Sequence, residues 1–174
     1  MYADSRPASA VATEAAFRRH HEALERYLVR LTGDGELAAD AAQEAFVRLL
    51  DQDPPPAEIR PWLFRVAVNV VRDVARKKER HRVLGMEGRA EGAHGDAPRS
   101  PDQAADRERA RKKVRLALDV LSEKERQALL MREEGFKHRE IAVAVGTTTG
   151  SVGTLLRRAL EKAAQRLELE GEST

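Results

Sequence analysis

The stretch EIAVAVGTTTGSVGTLLRRA, Glu140 to Ala159, decides how the second half of the chain is read. Ile141, Ala142 and Val145 recur at helical spacing and give a short helix one apolar stripe. Gly146 permits the left-handed backbone that a sharp turn needs. Thr148 is placed as an N-cap, its hydroxyl accepting from the free amides of a new helix. On that second helix Val152, Leu156, Ala159, Ala163 and Leu167 share one face, while Ser151, Thr154, Arg157 and Arg158 point away from it. An outer face of this kind can enter a DNA major groove. Spacing alone also allows a helical hairpin that only packs, its charges solvated. Gly153 is the discordant residue. It lowers helix propensity by about 1 kcal/mol relative to alanine, and a helix that only packs gains nothing from it. Close approach to a DNA backbone or to another helix would account for it.

Working outward, SEKE (Ser122 to Glu125) reads as a capping box that starts the preceding helix, and Gly135 as its C-cap. A further helix covers about 106–120. Ahead of it, LGMEGRAEGAHGDAPRSPDQAA (84–105) holds four glycines and two prolines without apolar periodicity, the composition of a flexible linker. The first half has three helical segments. One runs from Glu14 to Leu31, with Phe17, Leu24, Leu28 and Leu31 near one face. TGDGE (Thr32 to Glu36) is a turn. A second helix runs to Leu50, where DQDPPPAEIRP breaks the pattern with three prolines in a row. A third runs from Pro61, suited to a first helical turn, to Val83. Residues 1–13 are small and polar and read as a disordered tail. No segment alternates at period two. The expectation is an all-α protein, with two small helical domains at 14–83 and 106–174 joined by a flexible linker, the C-terminal one containing a helix-turn-helix.

In RPWLFRVAVNVVRDVARKKERHR the third helix shows a stripe of Leu63, Val66, Ala67, Val70 and Val74. Nearly opposite stand Arg65, Asn69, Arg72, Asp73, Arg76 and Arg80. From Arg72 to Arg82 six Lys/Arg face two Asp/Glu, a local charge of +4 on a chain whose net charge is only +2. Charge is thus concentrated where a phosphate-binding stripe would need it, although a solvated face has the same composition. Asn69 could hydrogen-bond a base edge. Trp62 and Phe64 read as core, or as aromatics on which unpaired bases stack.

Several classes are excluded. The absence of cysteine removes disulfides, thiolate metal sites and cysteine nucleophiles, and suits the reducing cytoplasm. No apolar run approaches the ~20 residues that span a bilayer, and the N-terminus has no secretory pattern, so no membrane insertion is expected. His20 and His21 are adjacent and cannot share a helix face as a metal pair. His81, His94 and His138 lack partners at ligand spacing. No phosphate loop or nucleophile elbow occurs. Neither enzyme activity, nor a cofactor, nor a metal is expected.

Motifs of both halves, in this order, resemble the extracytoplasmic-function sigma factors of bacterial RNA polymerase. The resemblance is carried by DAAQEAFVRLL (Asp40 to Leu50), WLFRVAVNVVRDVARKK (Trp62 to Lys78), LSEKERQALLMREEGFKHREIAVAVG (Leu121 to Gly146) and GSVGTLLRRA (Gly150 to Ala159). The helix-turn-helix by itself also fits a stand-alone transcription regulator. The Asp-x-x-Gln-Glu segment, left unused in that alternative, favours the sigma factor. The resemblance implies a role for each segment. Asp40, Gln43, Glu44 and Arg48 would dock on the coiled coil of the polymerase largest subunit. The third helix would engage the promoter minus-ten element through Arg65, Asn69, Arg72, Asp73, Arg76, Lys77 and Arg80. The loop Asp51 to Arg60 would hold a flipped base. Ser151, Thr154, Leu155, Arg157 and Arg158 would read the minus-thirty-five element. Core RNA polymerase and promoter DNA are the implied partners, and an anti-sigma protein a further one. The chain departs from the family where a lysine and an arginine commonly stand on the recognition helix, at Gly153 and Leu155. The expectation is a weaker minus-thirty-five contact, with Leu155 free to meet a thymine methyl.

Overall fold

A computed structural model describes residues 8–83 and 101–171 of the chain. Among the described residues there are seven helices and no strand. They fall into two compact units, one holding the first three helices and the other the last four. Residues 1–7 and 84–100, which include most of the expected tail and linker, lie outside the described residues.

In the first unit α1 spans Ala8–Thr32, α2 Gly35–Leu50 and α3 Ile59–Val83. Helix α1 begins ahead of the expected Glu14, because ASAVATEAA is rich in the best helix former. Two residues join α1 to α2. Gly33 takes φ 71°, and its amide still reaches Val29 O at 2.8 Å. Asp34 caps α2 by accepting from the Leu37 amide at 3.0 Å. So short a link folds the two helices back as a hairpin. Their seam is lined by Ala38, Ala41, Ala42 and Ala45 of α2, all fully buried, so the small side chains bring the backbones close. Leu24, Tyr27 and Leu28 of α1 and Leu49 of α2 complete it.

Helix α3 closes this core through Leu63, Phe64, Ala67 and Val68, with Phe64 packed on Tyr27 at a centroid distance of 5.0 Å. This corrects the expected stripe. Val66, Val70 and Val74 are only half-buried, because the large Phe64 ring turns the buried face about one residue away from them. Phe17 and Leu31 of α1 are likewise not core: Phe17 is 46% exposed and Leu31 half-buried.

In the second unit α4 spans Pro101–Asp119, α5 Glu123–Glu133, α6 His138–Val145 and α7 Thr149–Gly171. Helix α4 starts inside the segment expected as linker, with proline in its first turn, where the missing amide costs nothing. The capping box at α5 forms in both directions. The Ser122 hydroxyl accepts from the Glu125 amide, and the Ser122 amide donates to Glu125 Oε2 at 2.8 Å. At its other end Gly135 takes φ 80°. The Phe136 amide returns to Met131 O and the Gly135 amide to Arg132 O, the Schellman pattern. Phe136 is thereby turned into the core beside Met131, Ile141 and Val145. Helix α7 packs through Val152, Leu156 and Ala159. The expected stripe ends there: Ala163 is half-buried and Leu167 is 41% exposed. Helices α4, α5 and α6 all pack against α7.

Candidate nucleic-acid interface

The turn between α6 and α7 comprises Gly146, Thr147 and Thr148. Gly146 takes φ 66°, and the Thr147 amide reaches back to Ala142 O at 3.0 Å. The Thr148 hydroxyl accepts from the Ser151 amide at 3.2 Å and lies 2.7 Å from the Ser151 hydroxyl. The predicted cap is therefore present, and Ser151 is drawn into it. The Lys124 ammonium donates to Gly146 O at 3.4 Å, tying α5 to the turn. Ser151, Gly153, Thr154, Arg157 and Arg158 are exposed, whereas Leu155 is half-buried. A side chain at Gly153 would meet nothing within 4 Å, so packing within the protein does not require glycine there. Arg157 is paired with Glu161 at 2.7 Å, one turn on.

On α3, Arg65, Asn69, Asp73, Arg76, Lys77 and Arg80 are exposed and Arg72 is half-buried. From Arg65 to Arg80 the stripe is about 22 Å long at 1.5 Å per residue. Neighbouring members hold one another: Arg72 donates to Asn69 Oδ1 at 3.3 Å, and Arg76 lies 3.6 Å from Asp73 Oδ1. The two aromatics that could have stacked on bases are separated by the fold. Phe64 is wholly buried, and Trp62 is half-exposed at the head of the stripe.

On α2, Asp40, Gln43 and Arg48 are exposed and Glu44 is half-buried, with Arg48 Nε donating to Glu44 Oε1 at 2.7 Å. Two apolar side chains stand out among them, Val47 at 48% and Leu50 at 46% exposure. Sequence reasoning passed over both, because the run FVRLL reads as core. Phe17 lies edge-on to Phe46 at 5.0 Å and close to the His21 ring at 4.4 Å.

Two further features lay outside the sequence reading. Burial, then the Arg60 and Arg19 charges, push the His20 imidazole below its ordinary value, so it is neutral near pH 7. Glu125, read only as a cap, accepts from the Lys162 ammonium at 2.9 Å on each oxygen. Burial pushes its carboxyl up, but Lys162 and the two Ser122 hydrogen bonds outweigh that and hold it below the ordinary glutamate range. Among the described residues no three His, Asp or Glu side chains are grouped to hold a metal ion, and no helix is long and apolar enough to cross a membrane.

Comparisons with known proteins agree with this division. A family described as Sigma-70 region 2 matches residues 16–81, and one described as Sigma-70, region 4 matches residues 109–162. The chain is 31% identical over 181 residues to the ECF RNA polymerase sigma factor SigL of Mycobacterium tuberculosis, covering 95% of this chain and 96% of that protein. It is 28% identical to the ECF RNA polymerase sigma factor SigE of Mycolicibacterium smegmatis, covering 81% of this chain but only 56% of that longer protein. Among solved structures, the sigma factor RpoE of Bartonella quintana, crystallised with the anti-sigma factor NepR, superposes with a TM-score of 0.69 at 20% identity. That match covers 90% of this chain and 97% of RpoE, and it speaks for the fold.

Proposed function

The chain belongs to the extracytoplasmic-function sigma factors of the sigma-70 family, and on that premise we propose how its two units divide promoter recognition and transcription initiation. The first unit binds core RNA polymerase and the minus-ten element. The second reads the minus-thirty-five element through α7. The observation that carries this reading is the pair of outward faces, the α3 stripe and the tip of α7, each free of the core that its opposite face builds.

Asp40, Gln43, Glu44 and Arg48 form the polar part of the polymerase-docking face, and Val47 and Leu50 its apolar centre. Exposed apolar side chains ringed by charge are what a protein partner buries. On α3, Arg72, Arg76, Lys77 and Arg80 contact phosphates, and Asn69 reads a base edge. The loop between α2 and α3 receives a base from the opened strand. Removing a base from the stack costs a few kcal/mol, offset by the pocket and by backbone contacts. On α7, Thr154 and Arg157 read base edges, Arg158 holds phosphate, and Leu155 meets a thymine methyl. The protein supplies recognition and strand opening, and the polymerase supplies the chemistry. It acts in the cytoplasm, where polymerase and promoters are. An anti-sigma protein that covers the docking and DNA faces would hold it inactive.

The test is run-off transcription by sigma-free bacterial core polymerase supplemented with the purified chain, on a library of genomic fragments, with start sites sequenced. Transcripts that share two upstream elements are the expected result. Absence of both core binding and transcripts, with tight duplex binding by the chain alone, would make it a stand-alone regulator.

A further inference from the structure

Among the described residues Glu125 is the charged side chain that the fold buries, with 6% of its side chain exposed. Nothing in the function above uses it. Its two oxygens each accept from the Lys162 ammonium at 2.9 Å, across 37 residues of sequence. Its Oε2 also accepts from the Ser122 amide at 2.8 Å. An ion pair of this kind adds little net stability over apolar side chains of the same size. What it adds is specificity, because a buried carboxylate left without its ammonium is costly, which favours the seating of α7 that keeps Lys162 within reach of Glu125.

Its place in the fold makes that seating matter. Helix α7 leans on its unit through Val152, Leu156 and Ala159, and by Leu167 its apolar face is open. Lys162 stands three residues beyond Ala159. Helices α4, α5 and α6 all pack against α7, and to that packing the Lys162–Glu125 contact adds one charged tie between α7 and α5. The side chain of Thr154 lies about 12 Å away along the same rigid helix. A small roll at Lys162 therefore turns Thr154 and Arg157 away from their positions.

We propose that Glu125 and Lys162 are positioning residues that set the lie of the recognition helix, and so control reading of the minus-thirty-five element without touching DNA. This rests on the proposal that α7 reads that element. Lys162→Met removes the ammonium from a half-exposed site. Glu125→Gln removes the charge and keeps the cap, since glutamine serves equally at that position of a capping box. The holoenzyme, formed with each single variant and with the double variant, is measured on the genomic fragment that the wild type transcribes best. A matched fragment carries a scrambled upstream element.

The expected result is a loss of promoter affinity of roughly fivefold or more in either single variant, no further loss in the double variant, and an unchanged salt slope. The defect should vanish on the scrambled fragment, and Lys162→Arg should recover most of the affinity. Additive losses, or a salt slope lower by about one unit for Lys162→Met alone, would make Lys162 a phosphate contact and overturn the proposal. Lower thermal stability with unchanged affinity would also overturn it, leaving a purely structural pair. A wild-type holoenzyme indifferent to the upstream element would overturn the parent reading, and this proposal with it.

Discussion

Replacing Gly153 separates what the helix gains from what the DNA contact gains. Gly153 lies inside α7, exposed, and an added Cβ meets nothing within 4 Å. Gly153→Ala should therefore stabilise α7 by about 0.8–1 kcal/mol, the difference in intrinsic helix propensity. For a unit of this size that raises the midpoint of its thermal transition by about 4–8 °C. Gly153→Lys should give nearly the same rise, lysine being close to alanine in propensity. On DNA the two variants should part. A lysine that reaches a phosphate steepens the dependence of log affinity on log salt by about 0.9. Between 50 and 200 mM salt that adds a factor of about 3.5 to the fall in affinity, and binding at the lower salt is correspondingly tighter. Calorimetry of the free chain and salt titrations of holoenzyme on its promoter read the two effects independently. A lower midpoint for Gly153→Ala would refute the reasoning about open space. An unchanged slope for Gly153→Lys would mean that this position does not face a phosphate. Weaker binding by Gly153→Ala would show that DNA approaches the helix backbone there, which is what the glycine would then be for.

Ser122→Ala removes one arm of the α5 capping box and should cost about 1 kcal/mol; a thermal midpoint within error of wild type would count against the box as a stabilising element. Phe64→Ala should cost about 3–5 kcal/mol, since the ring is fully buried against Tyr27. Trp62 is the chain's single tryptophan, so its fluorescence during denaturation reports this first unit, and an unshifted midpoint would remove Phe64 from the core. The folded Glu125 carboxyl titrates below its unperturbed value of 4.5. Its contribution is therefore complete above that value and is lost as pH falls through the folded pKa. Glu125→Gln should flatten this acid limb of stability, and an identical acid limb would contradict the assignment. Asn69→Ala should relax base preference in the minus-ten element by about 1–3 kcal/mol with an unchanged salt slope, which promoter-variant transcription measures.

The helix order and both ends of most helices were legible because local chemistry writes them. Ser122 with Glu125, Gly135, Gly146 and Thr148 each act within one turn of their own position, and each is found in its expected role. Facing directions were less legible. Val66, Val70 and Val74 form as regular an apolar stripe as any in the chain, yet α3 turns Phe64 and Val68 inward. Period alone cannot weigh one aromatic ring against three β-branched side chains, and the partner across the seam, Tyr27, lies 37 positions upstream. Leu167 reads as core because its spacing continues that of Val152 and Leu156, but spacing says nothing about which turns of a helix its neighbours cover.

Glu125 shows a different limit. The capping box explains this glutamate fully from local sequence, and a residue already explained invites no search for a second contact. Its other bond goes to a lysine in a helix whose exposed surface carries Arg157, Arg158, Glu161 and Lys162 in quick succession. In that company Lys162 reads as one more solvated charge. Only the packing of α5 against α7 distinguishes it, by placing a buried carboxylate within its reach. The same logic separates the arginines proposed to face DNA from their neighbours. Composition makes them equivalent, and the turn at Gly146 decides which side of α7 is left open.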